Sequence, residues 1–271
     1  MQVALARRLI AEAVGTALLI VFGPGSVVAA VKAGNGTVDY AGIGMIALAF
    51  GFVVALIIYA IGTTSGAHIN PAVTVGLAAV KRFPVREVGP YILAQLVGAV
   101  VGGLLVVAVF GTTAAEQAGV GLTKLGTDVN PLQGLVAEVL ATALLLITVM
   151  ALAVDTRAPA GWAGFGIGLA VIVEILVIGP ITGGSVNPAR TFGPYVTQTL
   201  IGGDTPWSEF WLYVVGPLLG AVLGCFGYDL LARPTGDEPP APVQGTEGDI
   251  TGRREPVTRA SGGRRQPARR R

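Results

Sequence analysis

The sequence predicts an all-α membrane protein: six transmembrane helices plus two half-helices, arranged as an inverted 3+3 repeat. Three observations predict it. Hydrophobic residues make up 52% of the 271 positions and charged residues only 13%, where a soluble domain carries about 25% charged residues. Six apolar stretches are each long enough to cross about 30 Å of hydrocarbon. Finally, Asn-Pro-Ala occurs twice, at 70–72 and 187–189, each time behind a run of small residues.

The spans are expected near 8–31, 41–62, 87–110, 133–154, 163–181 and 210–232, since about 20 helical residues bridge the bilayer core. Each run is apolar on most sides, as suits a helix in lipid. None alternates in the manner of a barrel strand. The 40 glycines suit helices that approach closely where water supplies no driving force. Orientation follows from Lys and Arg near the span ends. With the N-terminus inside, the cytoplasmic side receives Arg7, Arg8, Lys81, Arg82, Arg86, Arg157 and Arg233. The outside receives only Lys32 and Lys124, with Arg190 in the second Asn-Pro-Ala segment. Both termini are therefore expected in the cytoplasm, in a multi-pass protein of the cell (plasma) membrane. Residues 1–232 form the expected channel-like domain. Residues 233–271, ending GGRRQPARRR, hold too little apolar surface to fold alone. They are expected to be a disordered basic tail that either solubilises the chain or touches anionic lipid.

The repeat shows in two blocks, AEAVGTALLI at 11–20 and AEVLATALLL at 137–146. Each opens a half, the first over about 8–110 and the second over about 133–232. Every half contains three crossings, an odd number, so the second must be inserted upside down. Inverted repeats place their functional site near the midplane, where the halves meet. Asn before Pro is a good helix opening: Asn caps, and Pro is tolerated at the first helical position. From Asn70 to Lys81 is eleven residues, or roughly 16 Å of helix, about half the apolar thickness. The segment beginning at Asn187 gives a similar half-helix from the other side. Backbone of this kind must be buried in protein or line a wet cavity.

Composition narrows the function classes. Cys225 is the only cysteine and His68 the only histidine, which excludes an intrachain disulfide and most metal sites. No nucleophile–base pair stands out, so no enzyme and no cofactor are expected; a net charge of +2 says little about partners, and no nucleic acid is expected. Arg190, Glu12 and Glu138 are ionisable residues within apolar segments, each a functional candidate by position alone. Glu174 is a third buried-segment carboxylate, open to a pore, a neighbouring subunit or an internal partner.

Two Asn-Pro-Ala boxes, the second as Asn-Pro-Ala-Arg, in an inverted three-plus-three repeat resemble the aquaporin (major intrinsic protein) family over about residues 8–232. NPARTFGPY looks most like archaeal members, and VIGPITGGSVNPAR also resembles the plant nodulin type. The resemblance implies a right-handed bundle and a water channel in which Asn70, Pro71, Ala72, Asn187, Pro188 and Ala189 meet at the midplane. It also implies an outer filter of Phe50, Ile175, Gly184 and Arg190. Glu12 and Glu138 are implied as supports of the half-helix loops, with His68 in the cytoplasmic vestibule as a structural or pore-lining residue or a pH gate. A homotetramer in the lipid bilayer is implied, with water and small neutral solutes as its partners. The family's mercury-reactive cysteine would sit at Gly184, so weak mercury block is expected. Strict water channels place His where this chain has Ile175, and the glycerol type places Asp where it has Thr191. The filter is thus intermediate: water permeation is expected, with glycerol or urea as further permeants. The alternatives are a glycerol/urea-type facilitator of low water selectivity and a proton-coupled secondary transporter.

Overall fold

The first span is not one rod, because Pro24 supplies no N–H to it. In the computed structural model, which describes residues 3–232, α1 (Leu5–Phe22) stops at Gly23 and α2 (Pro24–Ala33) restarts with Pro24 in its first turn. Then come α3 (Tyr40–Ser65), the half-helix α4 (Pro71–Ala79) and α5 (Val85–Phe110), with a short α6 (Thr112–Gln117) on the connection. The second half follows the same order: α7 (Pro131–Val149) ending in a π-turn at Met150–Val154, α8 (Ala163–Thr182), the half-helix α9 (Pro188–Leu200) and α10 (Leu212–Ala232). Six spans are long and apolar enough to cross a membrane, and the described residues contain no strand. The chain is a multi-pass membrane protein. The tail expected at 233–271 lies outside the described residues.

Packing repeats the internal symmetry. α1 lies along α5, and its counterpart α7 lies along α10, while α3 meets α8 where the halves join. Gly98 and Gly220 make the equivalent close approaches: a Cβ at either would run into the carbonyl of Ala13 or of Val139. The half-helices are exchanged, α4 packing on α10 and α9 on α5. Neither half can therefore form its floor without the other. Outward faces carry Ile10, Leu56, Val109 and Leu140, all well exposed, as the hydrocarbon requires. The ends are pinned at the face that holds the start of α1 and the end of α10. There Arg8 pairs with Glu87 at 2.8 Å, and Arg157 bonds Asp155 and donates to the Ala232 carbonyl at 2.7 Å.

Candidate functional site

Both half-helices begin at the Asn of their box. Asn70 is extended (φ −155°), and its Oδ1 accepts from Ala72 N at 2.8 Å. Asn187 is extended (φ −154°) and accepts from Ala189 N at 2.9 Å and Arg190 N at 3.2 Å. Pro71 and Pro188 occupy the first turns. The helices run about 14 and 20 Å, too short to span, and start nose to nose. Asn70 Nδ2 donates across to the Val186 carbonyl at 2.8 Å, and Asn187 Nδ2 donates to the Ile69 carbonyl at 2.9 Å. Each amide uses one N–H in this crossed pair and keeps a second. The positive ends of two helix dipoles, about half a charge each, converge at the same level.

The approach to each Asn is strained. Ile69 and Val186, both β-branched, hold φ of 44° and 48°, a conformation costing on the order of 1–3 kcal/mol. Two buried carboxylates hold them there. Glu12 accepts from Ile69 N at 2.7 Å, His68 N at 3.0 Å, Ser65 Oγ at 2.7 Å and Gln95 Nε2 at 2.9 Å. Glu138 accepts from Val186 N at 2.7 Å, Ser185 N at 3.0 Å and Thr182 Oγ1 at 2.7 Å. Bonds to a charged acceptor contribute about 1.5–3 kcal/mol each, enough to offset the strain. With their N–H groups turned onto the carboxylates, the loops 66–69 and 184–186 form one polar wall.

A cavity of about 240 Å³ runs beside this wall. Asn70, Asn187 and His68 line it, and Val54, Leu77, Val149 and Val171 form its apolar side. The four residues expected as a filter come together at one end. Arg190 Cζ stands 4.9 Å from the Phe50 ring centroid, a cation–π distance. Gly184 lies against Ile175. A second cavity of about 310 Å³, with Lys124 on its wall, shares Ile175 and Arg190 with the first, so these side chains form the partition between them. Arg190 is only 2% exposed. Its Nη1 donates to the Gly121 carbonyl at 2.7 Å while its buried Nε has no partner among the described residues.

Several contributors carry no obvious signal in sequence. Gly121 (φ 71°) lies so close to Pro24 that a Cβ would clash with its backbone, and this places its carbonyl at Arg190. Gln95 braces Glu12. Tyr91 and Tyr213 donate to the carbonyls of Ser65 and Thr182, the last residues of α3 and α8. The repeated Thr four residues after each Asn was a legible clue: Thr74 meets His68 at 3.1 Å, and Thr191 meets Ser185 at 2.7 Å. His68 is buried against Phe83 and Tyr91. Cys225 is buried and free. Glu174 is absent from the cavity lining and faces a groove between α7 and α8. Among the described residues no cluster of His, Cys, Asp and Glu could hold a metal.

Known proteins are similar to this chain in sequence and in fold. The family described as Major intrinsic protein matches residues 1–228. Aquaporin AqpM of Methanothermobacter marburgensis is 46% identical over 243 residues, 85% of this chain and 99% of its own length. A putative aquaporin of Arabidopsis thaliana, NIP4-1, is 38% identical, covering 84% of this chain and 76% of its own. Among solved structures, the aquaglyceroporin from Plasmodium falciparum superposes with a TM-score of 0.75 at 25% identity, over 84% of this chain and 97% of that one. With the family model matching residues 1–228 and a relative 46% identical over 85% of this sequence, the chain belongs to the major intrinsic protein family.

Proposed function

We propose that the protein is a channel, not an enzyme, that conducts water in single file together with small uncharged solutes and rejects protons and cations. The observation that carries this is the crossed Asn70–Asn187 pair, which leaves two amide donors at the converging dipole ends beside a continuous cavity. A water held there by its oxygen turns its hydrogens outward, which breaks the oriented chain a proton needs. The same positive field and Arg190 oppose cations, as pore width and lining donors do in pores of this type. Phe50, Ile175, Gly184 and Arg190 act as the filter, and Glu12 and Glu138 keep the loop carbonyls on the pore wall. Positive-inside counting supports cytoplasmic termini in the plasma membrane, and the family supports a homotetramer with one pore per subunit.

A second reading, a facilitator that passes glycerol freely, is favoured by Ile175, which together with Gly184 leaves that side of the filter apolar. Stopped-flow light scattering on proteoliposomes separates the two. Water flux should be linear in the gradient and indifferent to pH difference; saturable uptake that follows a proton gradient would replace the channel by a transporter. Shrinkage in glycerol without recovery would remove the facilitator. Ile175→His should lower glycerol flux roughly tenfold, the scale set by altering one pocket contact, while water flux persists.

A further inference from the structure

Gly23 closes α1 where the first span breaks, and its backbone does not call for a glycine. The φ of −76° is open to any residue. What the position lacks is room. A Cβ on Gly23 would stand 2.5 Å from Phe50 Cε1, 2.8 Å from Phe50 Cδ1 and 2.7 Å from the Leu19 carbonyl oxygen. Carbon atoms in contact sit about 3.5–4.0 Å apart, so the edge of the Phe50 ring occupies the space that any other residue at 23 would claim. Phe50 lines the main cavity, whereas Gly23 lines neither that cavity nor the second. Seen from the pore, Gly23 is therefore behind the ring.

The backbone on either side of this contact is held in place. Gly23 N donates to the Leu19 carbonyl at 2.7 Å, and the Gly23 carbonyl accepts from Ser26 N at 2.9 Å and Ser26 Oγ at 2.6 Å. Pro24 is backed by Gly121, which packs directly on its backbone. α3 is pressed onto α8 at the residue after Phe50: a Cβ on Gly51 would come 2.5 Å from the Gly168 carbonyl oxygen. An atom added at 23 therefore drives the ring itself, toward the cavity and across Arg190, whose Cζ is 4.9 Å from the ring centroid. Restoring ordinary contact takes about 1 Å of movement, a large step in a file of waters of about 1.4 Å radius. We propose that Gly23 is a positioning residue that sets the width of the filter by leaving the space in which the Phe50 ring seats. The proposal rests on the reading of Phe50 and Arg190 as the filter, and it adds to them a residue outside the pore. Gly25 provides the contrast within the same break: it is also buried, but a Cβ there meets nothing closer than 3.6 Å.

The test measures osmotic water flux per folded protein, by stopped-flow light scattering on proteoliposomes of the full-length chain. Gly23→Ala should lower the flux roughly tenfold, the scale of altering one pocket contact. Gly25→Ala should stay within about twofold of wild type, as a site without a shared partner does. Adding Phe50→Leu to Gly23→Ala removes the ring edge and should bring the flux back to within about twofold of the Phe50→Leu single variant. The Leu19 contact is present in both backgrounds, so the rescue isolates the ring. Thermal unfolding in detergent checks that each variant is folded. Should Gly23→Ala alone fail to fold, the double variant should still fold and conduct, and its failure would overturn the proposal. Wild-type flux in Gly23→Ala would also overturn it, as would a loss that Phe50→Leu does not restore, and both results leave the filter standing. Phe50→Leu by itself should raise glycerol flux. If it leaves water and glycerol flux unchanged, the filter reading fails and the role of Gly23 fails with it.

Discussion

Around Asn70 and around Asn187 the chain builds the same joints from different residues. Ser65 and Thr182 end α3 and α8 and bond the buried carboxylates of Glu12 and Glu138; Tyr91 and Tyr213 brace those ends; Ile69 and Val186 take the same left-handed backbone. The side chains aimed at the cavity differ. Val73 stands where the second half has Arg190, and His68 where it has Ser185. Support also differs: Glu12 has four donors including Gln95, whereas Glu138 has three. The scaffold is thus duplicated, and the one charged side chain on the cavity wall is confined to one copy.

The largest expected effect is on the shared scaffold. Glu12→Ala releases four donors and the strained backbone at Ile69 and should cost on the order of 4 kcal/mol, with Glu138→Ala costing less because it releases three. Thermal unfolding in detergent measures both, and a reversed order would break the comparison. Next comes the difference itself. Arg190→Val gives the second box the residue of the first, and proton or sodium leak should rise about tenfold, equivalent to about 1.4 kcal/mol of barrier, while water still passes. An unchanged leak in vesicle conductance would move discrimination to the asparagine pair alone. Smaller still, His68→Ser should change osmotic water flux by less than about twofold, since the Ser185–Thr191 contact shows that a hydroxyl serves in the same place.

The smallest effect separates the connections. The link after α2 is held by Asp39 capping Gly42 at 2.7 Å, while that after the π-turn is held by Arg157 on Asp155, with Tyr228 donating to Asp155 at 2.7 Å. The hydrogen-bonded Arg157 guanidinium keeps the Asp155 carboxyl well below the usual carboxylate range. A depressed carboxylate stabilises above its ordinary pKa, about 4, and the contribution fades as pH falls toward the depressed value. Asp155→Asn should therefore unfold slightly earlier than wild type at pH 7, and the gap should close in strong acid. Because the pair is solvent-screened, high salt should narrow the gap too.

How much of this was legible differs element by element. The six spans were marked by runs of apolar residues long enough to cross lipid, and the structure places them within a few residues of the expected bounds. The half-helices were marked by Asn-Pro and by the distance to Lys81, and α4 and α9 start at Pro71 and Pro188. The break at Gly23–Pro24 was not anticipated, because the hydropathy of 8–31 is unbroken. Glu174 stood in the sequence as one acidic residue beside Ile175, and nothing there indicated that the two would line different cavities. The Gly121 carbonyl on Arg190 could not be read at all: a backbone oxygen has no letter of its own.

Sequence alone determined what bears on single elements and their order: the crossings, their number per half, the inversion that an odd number forces, and the caps that open the half-helices. Those follow from local propensity and from the thickness of hydrocarbon. Only the tertiary structure decided which atoms meet. The crossed amides span residues over a hundred positions apart, and the carboxylate of Glu12 reaches a turn more than fifty residues away. The physical reason is that hydrogen bonds act over about 3 Å, so they exist only after packing has brought distant backbone together.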